Sequence, residues 1–206
     1  MIKCAVFASG GGSNFGALID RKLSGDLHVE FVLMVGNNSS AAAFDRAREH
    51  KIETLHCAPS HFLNESQYAA SLLGHLEKHG VELIVLAGYM KMLPLELVNE
   101  YRGKIINIHP SLLPAFGGKG MYGSNVHTAV LEYGAKITGV TVHFVDEEYD
   151  HGPVIIQEPV RVLDTDSCDT LAARVLAMEH ATYWRAVEAV GCGRVFLDGQ
   201  RVRGNV

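Results

Sequence analysis

The sequence lacks most of what a secreted, membrane-spanning or nucleic-acid-binding chain would need. Its four cysteines, Cys4, Cys57, Cys168 and Cys192, include no Cys-x-x-Cys pair and no metal-ligand spacing. That argues against a disulfide framework and against a zinc motif. Reduced thiols of a cytoplasmic protein are the simplest reading, and in strand-like segments they pack as small apolar groups. No apolar run approaches the ~20 residues of a membrane span. The N-terminus has one lysine and only a short apolar run, Cys4 to Ala8, before a glycine cluster. This predicts a buried strand rather than a signal peptide. Lysine and arginine form no run, and the formal net charge is −5 at a pI near 6.1. The basic footprint of a nucleic-acid binder is therefore missing. Repeats, low-complexity tracts and linkers are absent as well.

What remains is an ordinary globular composition, 48% hydrophobic and 20% charged, over 206 residues. That length suits one domain able to bury a full core. Short β-branched runs alternate with helical patterns. Strands are predicted at Lys3–Ala8, Val29–Val35, Ile52–His56, Val81–Leu86 and Lys104–Ile108. Helices are predicted at Phe15–Leu23, Ala41–His50, Asn64–His79 and Leu95–Tyr101. Such β-α alternation predicts a Rossmann-like α/β fold, a mostly parallel sheet with helices on both faces. The pattern then changes. After a helix at Val126–Glu132, the strands Thr138–Val145 and Val154–Val160 are separated by only a short polar loop, which reads as an antiparallel pair. A long helix, Thr170–Val190, and a hairpin around Asp198-Gly199 complete an antiparallel C-terminal extension.

Two constellations carry chemistry. The first, Ser9-Gly10-Gly11-Gly12-Ser13-Asn14, follows the first strand and opens the first helix. Unpaired backbone N–H groups at a helix start attract anions, and glycines let an anion come close. Ser13 and Asn14 add side-chain donors, so a phosphomonoester would fit. The dinucleotide fingerprint is incomplete: Phe15 stands where its last glycine should be, and Gly36-Asn37-Asn38 ends the second strand without an acidic residue. No Gly-Lys-Ser/Thr follows either, so this is not a P-loop.

The second is Asn107-Ile108-His109-Pro110-Ser111-Leu112-Leu113-Pro114. Asn107 and His109 alternate with Ile106 and Ile108, so they share one face at the carboxyl end of a buried strand. Open α/β sheets place their ligands there. An imidazole can exchange a proton near neutral pH, and an Asn amide can hold an oxyanion. Asp146, Glu147, Glu148 and Asp150 form an acidic loop after the Thr138–Val145 strand, and one of them could be aimed at the imidazole.

These segments together resemble the folate-dependent glycinamide ribonucleotide formyltransferases. The resemblance spans nearly the whole chain. It rests on Ala8–Asn14, Leu86–Leu93, Asn107–Pro114, Gly117–Gly123, Gly139–Asp146, Asp150–Pro153 and the pair Glu179-His180. It implies one formyltransferase domain over 1–206, with a phosphate-binding half to about residue 100 and a folate-binding and catalytic half beyond it. Gly12, Ser13 and Asn14 would hold the ribonucleotide phosphate. Glu179 would contact the sugar or glycinamide part. Met90, Lys91, Met92 and Leu93 would line the folate pocket, with Val145, Asp146 and Asp150 in the loop around the pterin. Asn107, His109 and Asp150 would be the catalytic group. The implied co-substrate is 10-formyltetrahydrofolate, with no metal, no nucleic acid and no membrane partner; a homodimer is compatible with it. Judged without the resemblance, Met90 and Met92 would read as core and Glu179 as an exposed helix residue. Glu65 stands where some family members carry an arginine near the folate tail.

Overall fold

Nine strands and six α-helices alternate along the computed structural model, which describes residues 1–206. The first half runs β1 (Ile2–Ala8), α1 (Ser13–Ser24), β2 (Val29–Gly36), α2 (Ala43–Glu49), β3 (Glu53–His56), α3 (Glu65–Lys78), β4 (Leu83–Leu86) and α4 (Leu95–Glu100). The second runs β5 (Ile105–His109), α5 (Ser124–Tyr133), β6 (Ile137–Phe144), β7 (Val154–Arg161), α6 (Cys168–Gly191), β8 (Val195–Asp198) and β9 (Arg201–Gly204). Every predicted element is present. A 3-10 turn at Pro59–His61 is an addition the apolar pattern did not signal.

Seven strands form one sheet in the order β3-β2-β1-β4-β5-β6-β7. The first five are parallel, as continuous apolar runs with helical crossovers require. β6 and β7 continue the sheet antiparallel, and β8 and β9 make a separate hairpin. The mostly parallel sheet with an antiparallel C-terminal extension is thus as expected.

Alternate residues of β1 reach two different cores. Cys4, Val6 and Ala8 pack with Phe15, Leu18, Phe44 and Tyr183 on the face covered by α1, α2 and α6. Ala5 and Phe7 pack with Tyr68, Leu72, Leu76 and Leu97 on the face covered by α3 and α4. Cys4 and Cys57 are among these buried groups, and burial pushes the Cys4 thiol up to about 12, so it packs without reacting. The strand order reverses direction between β1 and β4, so a crevice opens beyond the carboxyl ends of these strands.

Candidate active site

Ser9 fixes that crevice. Its hydroxyl donates to Asn37 Oδ1 at 2.5 Å and accepts from the Met90 N–H at 2.8 Å. The ends of β1, β2 and β4 are thereby tied at one point.

The glycine loop turns from β1 into α1 at Gly12, which has φ +66°. A Cβ there would also stand 2.7 Å from the Ala43 Cβ. Both facts demand glycine. No side chain caps the first turn of α1, so its N–H groups are free for a ligand. Ser13 is exposed, whereas Asn14 is buried and its Nδ2 donates to Glu179 Oε2 at 3.1 Å. The Asn14 side chain therefore ties the loop to α6, which leaves its backbone N–H as its group at the helix start. Glu179 is 8% exposed, not the surface residue that its helical setting alone suggested. Burial pushes its carboxyl up to about 7, opposed by the Asn14 bond.

β5 and β6 bring the second constellation together. Asn107 pairs with His143 and His109 with Thr141 across the antiparallel ladder. His143 Nδ1 lies 2.8 Å from the Phe144 carbonyl, which can only accept, so Nδ1 carries the proton. Burial holds the ring neutral. Its Nε2 lone pair then accepts from Asn107 Nδ2 at 3.2 Å and orients the amide, leaving its second N–H free. By the same logic His109 Nε2 donates to the Phe116 carbonyl at 2.8 Å, and its Nδ1 approaches Asp150 Oδ2 at 3.4 Å.

Asp150 is the acidic-loop residue that turns inward; Glu147 and Glu148 stay exposed. It adopts φ +53°, a left-handed conformation that Asp tolerates better than most residues. The Gly118 N–H donates to its Oδ2 at 2.9 Å. Gly117 makes room, since a Cβ there would meet Leu113 Cδ2 at 2.5 Å and Asp150 Cβ at 3.2 Å. At Gly152 a Cβ would lie 1.9 Å from the Phe144 oxygen, so the loop closes only with glycine. The loops after β5 and β6 therefore brace each other around His109.

A cleft of about 660 Å³ joins the two constellations, with Asn14, Met90, Asn107, His109, Asp150 and Glu179 on its walls. A smaller pocket of about 80 Å³ adjoins it and shares Asn107 and Asp150. Lys91, Met92, Leu93, Val145 and Asp146 gather there, whereas Met90 lines the main cleft. Met90 and Met92 are each 48% exposed, which overturns their reading as core. Glu65 lies further out, with Met92, Leu93 and Glu147 around a third pocket of about 560 Å³. Ser13 and Gly12 do not reach the main cleft; Ser13 lines a polar pocket of about 240 Å³ with Arg46 and His180. Sequence reasoning missed His127, His143, Phe116 and Tyr183. Only the histidines left a trace, as titratable groups in or near the apolar runs of α5 and β6.

Comparison with known proteins gives a consistent result. The formyl transferase family matches residues 2–187. A phosphoribosylglycinamide formyltransferase of Bacillus subtilis is 39% identical over 183 residues, spanning 89% of this chain and 91% of that protein. The chloroplastic phosphoribosylglycinamide formyltransferase of Arabidopsis thaliana is 45% identical over 193 residues, which is 91% of this chain. The match spans only 65% of that longer relative. The crystal structure of glycinamide ribonucleotide transformylase 1 from Symbiobacterium toebii superposes with a TM-score of 0.93 at 35% identity, covering 100% of this chain and 95% of that one.

Proposed function

The chain belongs to the formyl transferase family, and on that premise we propose that it transfers the formyl group of 10-formyltetrahydrofolate to the amine of glycinamide ribonucleotide, a step of de novo purine synthesis. The observation that carries this reading is a single cleft with two unlike ends. At one end Asn14, in the first turn of α1, is tied to Glu179, with the uncapped start of that helix just outside the cleft; at the other stand Asn107, His109 and Asp150 beside a second pocket. A folate hydrolase needs the second end only.

The ribonucleotide phosphate sits on the N–H groups of Gly12, Ser13 and Asn14, and Glu179 faces the sugar or glycinamide part. Met90, Lys91, Met92 and Leu93 with Val145, Asp146 and Asp150 enclose the folate. The acceptor amine attacks the formyl carbon and a tetrahedral oxyanion forms. The free Asn107 N–H donates to it. His109 Nε2 exchanges the Phe116 carbonyl for the reacting atoms, because Asp150 retains Nδ1. The bond from the formyl carbon to the folate nitrogen breaks, and the proton lost by the amine ends on that nitrogen. Oxyanion donors and a placed proton carrier each contribute about 10²-fold or more. Holding both substrates in one cleft adds the positioning term. Unpaired cysteines and the lack of any helix long and apolar enough to cross a membrane fit a cytoplasmic setting.

The test mixes purified protein with both substrates and follows tetrahydrofolate release, with and without the ribonucleotide. Release that depends on the ribonucleotide is expected. Equal release in its absence would mean a hydrolase instead.

A further inference from the structure

One buried titratable side chain of the main cleft takes no part in the chemistry above. His127 lies in the first turn and a half of α5 and is 6% exposed. It lines the cleft that holds Asn14, Glu179 and His109, and is absent from the pocket of Lys91, Met92 and Asp146. Its Nδ1 is closed off from solvent without a hydrogen-bond partner. A buried polar atom left unpaired costs stability that an apolar side chain in its place would not.

Burial first, and then the charge of neighbouring His109, push the His127 pKa down, so the ring carries one proton near neutrality. That proton has two possible homes. On Nδ1 it would be an enclosed N–H with no acceptor, the rarer kind of orphan. On Nε2 it sits on the ring nitrogen that is not among the closed-off, unpartnered atoms. The second arrangement wastes only a lone pair.

We propose that His127 is a binding residue of the acceptor site, its Nε2–H donating to the carbonyl oxygen of the aminoacetamide arm. The proposal rests on the acceptor being glycinamide ribonucleotide. Three observations favour this ligand group. His127 lines the cleft that holds Asn14 and Glu179, and is absent from the smaller pocket of Lys91, Met92 and Asp146. A neutral donor suits a neutral carbonyl, whereas the phosphate dianion is served by the start of α1. His127 also lines the same cleft as His109, which places it on the walls around the reacting centre. In that arm the amine sits on the carbon next to the carbonyl. Fixing the oxygen leaves one bond rotation between the nucleophile and its attack geometry.

The experiment compares wild type with His127→Phe and His127→Gln, using glycinamide ribonucleotide and an analogue whose carbonyl is a methylene. Wild type should disfavour the analogue by about 10-fold or more in kcat/KM, the scale of one lost hydrogen bond. His127→Phe should lose about the same factor on the natural acceptor, keep its folate KM, and discriminate hardly at all between the two acceptors. His127→Gln, which retains an N–H donor, should recover much of the discrimination. Equal discrimination by the Phe variant and wild type overturns the assignment, as does a change confined to the folate KM. Should the Phe variant not fold, the Gln variant decides, since loss of the carbonyl must still cost it activity. Wild type inert toward glycinamide ribonucleotide would instead overturn the reading of the acceptor itself, and with it the role of His127.

Discussion

The two ends of the cleft are built by different means. The proposed acceptor end is made of regular structure: the turn from β1 into α1 packs on the start of α2, and a buried Asn14–Glu179 bond fastens it to α6. The proposed folate end is made of loops. Asp150, Gly118, Phe116 and His109 link two connecting segments in a chain of hydrogen bonds and close approaches. The first arrangement stores its precision in packing, so damage should appear as lost stability together with weaker acceptor binding. The second stores it in a few polar contacts on a finished scaffold, so damage should appear in turnover while the fold stands.

The sharpest test is at the loop end. His109→Ala should lower kcat by about 10² to 10⁴-fold and change the melting temperature little. A variant that turns over normally would remove His109 from the chemistry, and one that melts early would erase the contrast between the ends.

At the acceptor end the largest effect should come from Glu179. Its folded carboxyl titrates near 7, against a reference of 4.5. The folded state therefore binds the proton more tightly than the unfolded state does. Its stabilising share is complete below pH 4.5 and is lost as pH rises through 7. The loss should be on the order of 3 kcal/mol across that window. Glu179→Gln should flatten this part of the stability curve and raise the ribonucleotide KM, with the folate KM unchanged. Denaturant titrations at a series of pH values read the first effect directly. An unaltered slope would mean that Glu179 keeps its charge when folded.

Gly12→Ala comes next. The methyl group would meet Ala43 at 2.7 Å in a backbone conformation with φ +66°. About 2 kcal/mol of destabilisation is expected, with a raised KM for the ribonucleotide alone. Intact acceptor binding in this variant would show that the phosphate is held elsewhere.

The same contrast explains what could be read from the sequence. Elements and sheet direction were legible because buried parallel strands are apolar on both faces, as the two cores reached by alternate residues of β1 demonstrate. Gly12 and the Asn107–His109 alternation were legible because local geometry alone dictates them. Glu179 and Met92 were not. Whether a helical Glu or a Met after a strand is buried depends on what the chain later lays over it. The partners of His109 and Asn107 were hidden for a related reason. The Phe116 carbonyl has no sequence signature, and His143 acquires its role only through the antiparallel register of β5 with β6.

The smallest effect belongs at the joint between the two ends. The Tyr183 hydroxyl on α6 donates to the Leu86 carbonyl at 2.8 Å and lies 3.2 Å from that of Ile106. It therefore connects β4 and β5 to the helix that carries Glu179 one turn earlier. Complete burial pushes the phenol far above its ordinary range, so it remains a neutral donor at any working pH. Tyr183→Phe should cost about 1 kcal/mol, a fall of roughly 2–4 °C in Tm for a chain of this size. If the ends are separate constructions, kcat and both KM values should stay within about twofold of wild type, since one net hydrogen bond of this size is spread over the fold. A larger fall in kcat with both KM values unchanged would mean that α6 sets the position of Asn107 as well as that of Glu179. The loop end would then owe part of its geometry to packing, and the division drawn between the two ends would have to move to the loops alone.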